Sequence, residues 1–265
     1  MSSSFQYYLL YKIFFYIINF ERILSYSILN TEKRFINITM NDDNKAFINA
    51  LLKKLVKLNY IKPNDVPNIN LYMDQVTTFM DEHLSDVKRH EDDKILTKTM
   101  INNYTKNNLL PAPVKKKYSK EHIYILTFIY YFKNILFISD IQKILNPLTD
   151  KFFDTDSKPD LETIYNEIYL LEKTQIDYLS KDVIKKSEIA NDSFKDVEDE
   201  DEREFLQLFS LVCLLSFDVY MKKNIIENLI DDFNAKQESK KKKAVKAEKK
   251  EAKKEAKKES KKESK

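Results

Sequence analysis

Five side chains that carry positive or hydrogen-bonding groups recur at helical spacing between residues 98 and 106. In the stretch KTMINNYTKNN they lie on one face of a predicted helix, opposite an apolar face formed by Met100, Ile101 and Tyr104. Asparagine amides can pair with adenine, and lysines can neutralise phosphates. The pattern predicts a DNA-contacting helix over residues 97–108, with contacts from Lys98, Thr99, Asn102, Asn103 and Lys106.

A basic loop follows this helix. The stretch LLPAPVKKKY cannot be helical across Pro111 and Pro113, because proline lacks an amide donor and restricts the residue before it. We therefore predict an extended loop or a short hairpin over residues 111–118. Its lysines would contact backbone phosphates, and they are Lys115, Lys116 and Lys117.

The distribution of charge is more informative than the net charge of +3. The first 39 residues carry +2 and the last 30 carry +9, so residues 40–235 carry −8. Within this acidic body, Lys94 to Lys120 includes seven lysines and no acid. A local basic segment favours a polyanionic partner. Any exposed helix face is polar, however, and an ordinary solvated surface is an equal alternative on charge alone.

The sequence shows no motif that catalysis or metal binding would require. The sequence contains no glycine, which excludes a glycine-rich phosphate loop, and its three histidines lack the spacing of metal ligands. Cys213, the single cysteine, lies in the apolar stretch LFSLVCLLSF and is predicted to be a buried structural thiol. We expect no metal, no cofactor and no enzymatic activity.

Periodicity and the lack of glycine predict an all-α fold, because β-folds depend on glycine at tight turns. Helices are predicted over Ala46–Tyr60, after an Asn70 cap, after a Thr97 cap, over Lys120–Asn134 after Ser119, and after a Ser139 cap to just before Pro147. Asn108 is predicted to end the third helix in the left-handed conformation that asparagine tolerates.

The segment TMINNYTKNNLLPAPVKKKYSKEHI resembles the winged helix-turn-helix of MerR-type regulators. In that family a recognition helix with a tyrosine is followed by a leucine pair, a proline-containing wing and a new helix. Tyr104 matches the tyrosine, Leu109 and Leu110 match the leucine pair, and Tyr118-Ser119 matches the start of the new helix. The resemblance implies a DNA-binding winged helix and dimerisation through a helix that follows it.

Together with INLYMDQVTTFMDEHL, the same segment is similar to the bacterial family catalogued as domain of unknown function 1836, a family without an established activity. The sequence departs from the MerR pattern at three places. Asn102 and Asn103 stand where MerR proteins usually have Arg-Tyr, Asn108 replaces a glycine, and the connector Ser85–Leu96 is longer than a helix-turn-helix turn.

The second half of the chain predicts further helices. Leu161, Ile164, Ile168, Leu171, Gln175 and Tyr178 form a coiled-coil-like seam, which suits either an intramolecular bundle or a homodimer. Glu204 to Phe233 is apolar nearly all round, which predicts burial in a bundle or a dimer. The lysine-rich tail, residues 236–265, is predicted to be disordered, since it has almost no apolar residues to pack.

The amino-terminal stretch FQYYLLYKIFFYIINF is short for a membrane span and carries Lys12 at its centre. A polar start followed by an amphipathic helix after Met40 favours translation from Met40, with residues 1–39 as a spurious extension. On that hypothesis no membrane partner is expected, and the protein is predicted to be cytoplasmic.

These patterns predict four segments: 1–39, a winged helix-turn-helix domain at 40–150, a helical region at 151–235, and the tail at 236–265. The function they favour is DNA-binding transcription regulation by a non-enzymatic, dimeric protein. The alternative is a helical module of winged-helix shape that binds a protein partner.

Overall fold

The structure, a computed structural model, describes residues 48, 50–53 and 61–262, and these residues are mostly α-helical. The predicted all-α class is confirmed. The predicted start at Met40 and most of the helix predicted over Ala46–Tyr60 lie outside the described residues. In chain order the elements are β1 (Leu71–Tyr72), α1 (Met73–His83), α2 (Lys98–Lys106), β2 (Lys117–Tyr118), α3 (Lys120–Phe132), α4 (Ile138–Phe152), α5 (Leu161–Asn191) and α6 (Glu200–Lys262).

The chain divides into two compact units. Among the described residues, the first unit contains 48, 50–53 and 168–215, and the second contains 61–167 and 216–262. Helices α5 and α6 therefore contribute residues to both units.

The second unit has a dense core centred on α3, whose nine consecutive residues from His122 to Tyr130 are buried. A helix that is apolar on every side is expected in the middle of a core. The ring of Tyr165 from α5 stacks on Tyr124, with ring centroids 4.3 Å apart. The Tyr165 hydroxyl donates a hydrogen bond to the Ile61 carbonyl at 2.7 Å. These contacts tie the start of α5 and the segment before β1 to α3.

The first unit has a smaller core. Leu52 belongs to a short helical stretch at residues 50–53, and Ile48 lies just before it. Both side chains pack with Ala190 of α5 and Leu211 of α6. The connector between α5 and α6 is held by Gln207, whose side-chain amide donates to the carbonyls of Asn191 and Ser193 at 2.9 and 3.1 Å. The two helices thus form a closed hairpin in this unit.

Three predicted helix boundaries are wrong. Asn70 does not cap α1, because Leu71 and Tyr72 form β1 and the helix begins at Met73. Ser139 does not cap α4 either, since that helix begins at Ile138 and continues through Pro147 to Phe152. The proline removes one helical hydrogen bond, but Leu145 before it is buried and Leu148 after it packs against the core, so tertiary burial outweighs the local preference.

The largest differences from prediction lie in α6. Cys213 is exposed, not buried, and most of the apolar residues from 205 to 229 are exposed as well. The helix also continues through the lysine-rich tail to Lys262, where the composition predicts disorder. Alanine, lysine and glutamate are strong helix formers, so local propensity favours a helix even without apolar packing.

The coiled-coil-like seam predicted on α5 is only partly buried. Leu161 is buried in the core of the second unit, and Ile164 is half-buried. Ile168, Leu171 and Tyr178 are exposed. The seam therefore does not serve as an intramolecular interface along its whole length.

Candidate nucleic-acid interface

Helix α2 presents the predicted polar stripe to solvent. Its capping residue Thr97 accepts a hydrogen bond from the Met100 amide at 3.2 Å, as the sequence predicts. Ile101 and Tyr104 are buried and fasten the opposite face to the core. The five predicted contact residues are all exposed, namely Lys98, Thr99, Asn102, Asn103 and Lys106.

The carboxyl end of α2 is held rigidly by backbone hydrogen bonds. The Tyr104 carbonyl accepts from the amides of both Leu109 and Leu110, at 2.8 and 3.2 Å. Asn108, between the helix and this leucine pair, has a φ of 54°, the left-handed conformation that the sequence predicts for it. Because Leu109 and Leu110 are buried, the chain leaves α2 in a defined direction towards the basic loop.

The connector that leads into α2 is also anchored, although it is long. Ile95 and Leu96 are buried, and the Lys133 ammonium donates to the Ile95 carbonyl at 2.7 Å. Burial lowers the pKa of Lys133. Two backbone amides, those of Arg89 and His90, donate to the Asp93 carboxylate at 3.1 and 3.0 Å. Lys133 is the C-terminal capping residue of α3, so its bond to Ile95 anchors the connector before α2 to α3.

The basic loop is a short hairpin, one of the two forms predicted for residues 111–118. Val114 and Lys117 form a bridge in which the Lys117 amide donates to the Val114 carbonyl at 2.9 Å. The two residues at the tip, Lys115 and Lys116, have φ of 51° and 63°. Two successive left-handed residues are the signature of a type I′ turn, which usually contains asparagine and glycine.

Lysine in a left-handed conformation is costly, by about 1–2 kcal/mol per residue. Backbone strain of this kind is common at functional sites, where the position of the side chain matters. Lys115, Lys116 and Lys117 are all exposed at this tip. The turn thus holds two adjacent ammonium groups in solvent at a cost in stability.

One short segment links the hairpin to α2. Strand β1 pairs with β2, and the Lys117 ammonium lies 5.2 Å from the centre of the Tyr72 ring. Two residues further along, Asp74 forms an ion pair with Lys98 in the first turn of α2. Tyr72 and Asp74 are separated by at most about 7 Å of backbone. The hairpin and the amino end of α2 therefore both contact the segment Tyr72–Asp74.

Ion pairs neutralise part of the positive charge of residues 94–120. Lys98 pairs with Asp74, and Lys120 pairs with Glu162 at 2.5 Å. Both acids come from elements outside the segment 94–120, so the sequence did not show them. Among the described residues, the lysines of that segment without an ion pair are Lys94, Lys106, Lys115, Lys116 and Lys117.

A buried histidine lies beneath the hairpin. His122 is 2% exposed, and its Nδ1 accepts from the Ser119 amide at 2.9 Å, so its proton resides on Nε2 in the neutral form. The rings of Tyr118 and Phe153 approach it edge-on, with centroids 5.3 and 4.8 Å away. Burial lowers the pKa of His122, and the Ala112 carbonyl is the first of several groups that oppose this effect. The imidazole supports the junction between β2 and α3 as a neutral side chain.

A cavity in this unit is acidic. It has a volume of about 410 Å³ and is lined by five carboxylates together with Phe152, Thr155 and Leu161. Asp160 caps α5 by accepting from the Thr163 amide at 2.7 Å, and Glu162 is paired with Lys120. Hydrogen bonds from Thr163 lower the pKa of Asp160. At least two of these carboxylates thus have structural roles.

Most of this unit lies in a single matched region. Residues 61–168 match the family model of DUF1836, a domain of unknown function. The match runs from the segment before β1 to the early turns of α5, and covers less than half of the chain. No curated protein matches the chain, and no solved structure does. The DUF1836 region contains every predicted contact residue, whereas the MerR-like winged helix within it stays a prediction.

Proposed function

We propose that the DUF1836 region binds double-stranded DNA through α2 and the hairpin at residues 111–118, and that the protein is a non-enzymatic transcription regulator. The observation that carries this proposal is the junction at Tyr72–Asp74. It connects the first turn of α2, the helix with the exposed amide and lysine stripe, to a hairpin whose tip lysines adopt a costly backbone conformation.

The two parts have different chemical roles in the proposal. Asn102 and Asn103 present side-chain amides that can donate to and accept from an adenine edge in the major groove. Lys106 and the three hairpin lysines contact phosphates, which adds affinity that falls with salt. Lys98 contributes less than the sequence suggests, because Asp74 already neutralises it.

A MerR-like arrangement is supported by the order of elements. Two helices are followed by a short hairpin closed by one bridge and then by a new helix, and β2 of the hairpin pairs with the strand before the first helix. The connector between the two helices spans residues 84–97, which is longer than a helix-turn-helix turn. We therefore propose a winged helix with a widened turn, and a location with the chromosome in the cytoplasm.

The direct test is selection of bound fragments from random double-stranded DNA by the full-length protein. We expect enrichment of a motif that includes adenine at the positions read by Asn102 and Asn103. The double variant Asn102→Ala, Asn103→Ala should lose that preference, by roughly tenfold or more per base, while it still binds DNA weakly. A matched control is Asn224→Ala, Asn228→Ala, because those amides donate to carbonyls of their own helix.

Recovery of random fragments only, or an identical motif from both double variants, would contradict the proposal. The alternative, a helical module that binds a protein partner, predicts that outcome. A motif with two-fold symmetry would further indicate that two copies bind together.

A further inference from the structure

The two-stranded sheet of the DUF1836 region has one buried face and one exposed face. Its strands β1 and β2 pair Leu71 with Tyr118 and Tyr72 with Lys117. Paired residues point to the same face of a sheet, and successive residues along a strand alternate between the two faces. Leu71 and Tyr118 are buried in the core, so Tyr72 and Lys117 point outwards, and both are exposed.

Val114 extends the exposed face on the other side of Lys117. These two residues form an antiparallel bridge, so their side chains share a face as well. Val114 is 67% exposed and Tyr72 is 53% exposed. We call Val114, Lys117 and Tyr72 the outer row. The solvated face of an antiparallel sheet is usually polar, whereas this row places a lysine between an aliphatic and an aromatic side chain.

Tyr72 is held in position by its backbone. Its amide donates to Oε1 of Gln75 in the first turn of α1 at 2.8 Å, and the residue pairs with Lys117 across the sheet. The Lys117 ammonium lies 5.2 Å from the centre of the Tyr72 ring, where the negative charge of the ring face attracts a cation. A ring fixed in this way loses little conformational freedom when a partner covers it.

The outer row suits the backbone of a DNA duplex, in which anionic phosphates alternate with apolar deoxyribose carbons. Cross-strand neighbours in a sheet lie about 5 Å apart, so a lysine that binds a phosphate has an apolar side chain close by on each side. Lys117 is one of the hairpin lysines in the proposed interface. Its neighbour Tyr72 therefore lies within reach of the sugar next to that phosphate.

We propose that Tyr72 is a further DNA-contact residue, whose ring packs against the deoxyribose beside the phosphate that Lys117 binds. This inference rests on the proposed function and adds to it a contact that carries no charge. Such a contact releases no counterions, so its contribution to affinity does not depend on salt. A half-exposed aromatic side chain offers about 100 Å². Covering about half of that area corresponds to roughly a tenfold gain in affinity.

The first test measures the affinity of the full-length protein for a fixed duplex of mixed sequence, because a backbone contact is independent of sequence. Tyr72→Ala should bind roughly tenfold more weakly than the wild type. The matched control is Tyr178→Ala in α5, since Tyr178 is 67% exposed and has the Lys181 ammonium 5.9 Å from its ring centre. That control should keep the wild-type affinity.

The outcomes separate this inference from the proposed function. Tyr72→Ala with wild-type affinity would overturn the inference and leave the proposed function standing, whereas a wild type that binds no duplex would remove both. Tyr72→Phe should regain most of the affinity lost in Tyr72→Ala, because it retains the ring and lacks only the hydroxyl. A Tyr72→Phe variant that is folded by circular dichroism and binds as weakly as Tyr72→Ala would overturn the ring contact.

The second test separates a direct contact from an effect that acts through Lys117. Tyr72→Ala is introduced into a Lys117→Ala background, and affinity is measured over a range of salt concentrations. Lys117→Ala alone should make the log–log slope about 0.9 shallower, since one phosphate contact is lost. Adding Tyr72→Ala should weaken binding further, by roughly tenfold, at an unchanged slope. No further loss of affinity would show that the ring only positions Lys117, and would overturn the direct contact.

A fluorescent probe at the same position tests whether DNA covers the ring. The chain contains no tryptophan, so Tyr72→Trp introduces a single indole on the outer row. Saturation with the duplex should reduce the quenching of its emission by acrylamide, because the bound sugar shields the indole from solvent. Tyr178→Trp is the control, and its quenching should be the same with and without DNA. Equal quenching of Tyr72→Trp in the free and DNA-bound protein would overturn the inference.

Discussion

Helix α3 and the stretch Phe205–Tyr220 of α6 have similar apolar composition but differ in exposure. In α3 nine consecutive residues are buried, including the polar His122 and Thr127. In α6 the stretch from Phe205 to Tyr220 is just as apolar, yet one whole face is exposed and even Cys213 reaches solvent. The difference shows that apolar composition alone does not predict whether the chain's own residues cover a surface. Residues of the second unit cover α3, whereas one face of α6 is exposed among the described residues.

The largest expected effect compares the same substitution in both helices. Leu126→Ala in α3 should lower the free energy of unfolding by about 2–5 kcal/mol, since Leu126 is 0% exposed. Leu208→Ala in α6 should lower it by less than about 0.5 kcal/mol, because Leu208 is 55% exposed. Urea unfolding of the wild type and of each variant would measure both losses. Similar losses would show that α6 is covered by its own chain.

The next prediction concerns Lys115 and Lys116, the two exposed residues with left-handed φ at the hairpin tip. Replacing Lys115 by Asn and Lys116 by Gly should raise the free energy of unfolding by about 1–2 kcal/mol, because both residues have left-handed φ. The same variant should bind DNA more weakly, since it loses two ammonium groups. Lys117→Asn, at a position without a left-handed φ, is the control and should not stabilise the protein. Unchanged stability in the double variant would remove the argument from strain.

The smallest expected effect concerns His122. Because burial lowers its pKa in the folded state, the unfolded chain binds a proton more readily, and stability should fall as the pH drops below about 6.5. Above that pH the contribution of His122 is fully present. His122→Gln should flatten the dependence between pH 7 and pH 5.5. Parallel curves for wild type and His122→Gln would show that the imidazole is not held neutral.

The sequence predicted those features that depend on near neighbours. The Thr97 cap and the left-handed Asn108 follow from local rules, and the structure contains both. The hairpin is one of the two forms predicted for residues 111–118. The sequence did not reveal β1, because two residues are too few to show an alternating pattern. It also missed the pairing of Lys98 with Asp74, which depends on how α1 meets α2.

The other misses have a tertiary origin. Local rules end α4 before Pro147, but burial of Leu145 and packing of Leu148 carry the helix across it. Local rules also predict that Cys213 is buried, because its neighbours in sequence are apolar. The thiol is exposed. The polar stripe of α2 was predicted correctly as a surface, since its opposite face contains the residues that pack. What that surface binds is a separate question, and it is open to direct measurement.

The central claim is that the hairpin lysines contact DNA phosphates. Affinity for a fixed duplex should be measured from 50 to 300 mM salt for the full-length wild type and for a variant with Lys115, Lys116 and Lys117 replaced by alanine. Each lost phosphate contact reduces the log–log slope by about 0.9, so the slope should be up to about 2.7 shallower. A control with Lys173, Lys181 and Lys185 replaced by alanine removes the same charge from exposed positions on α5 and should keep the wild-type slope. Identical slopes for the wild type and the hairpin variant would contradict the account.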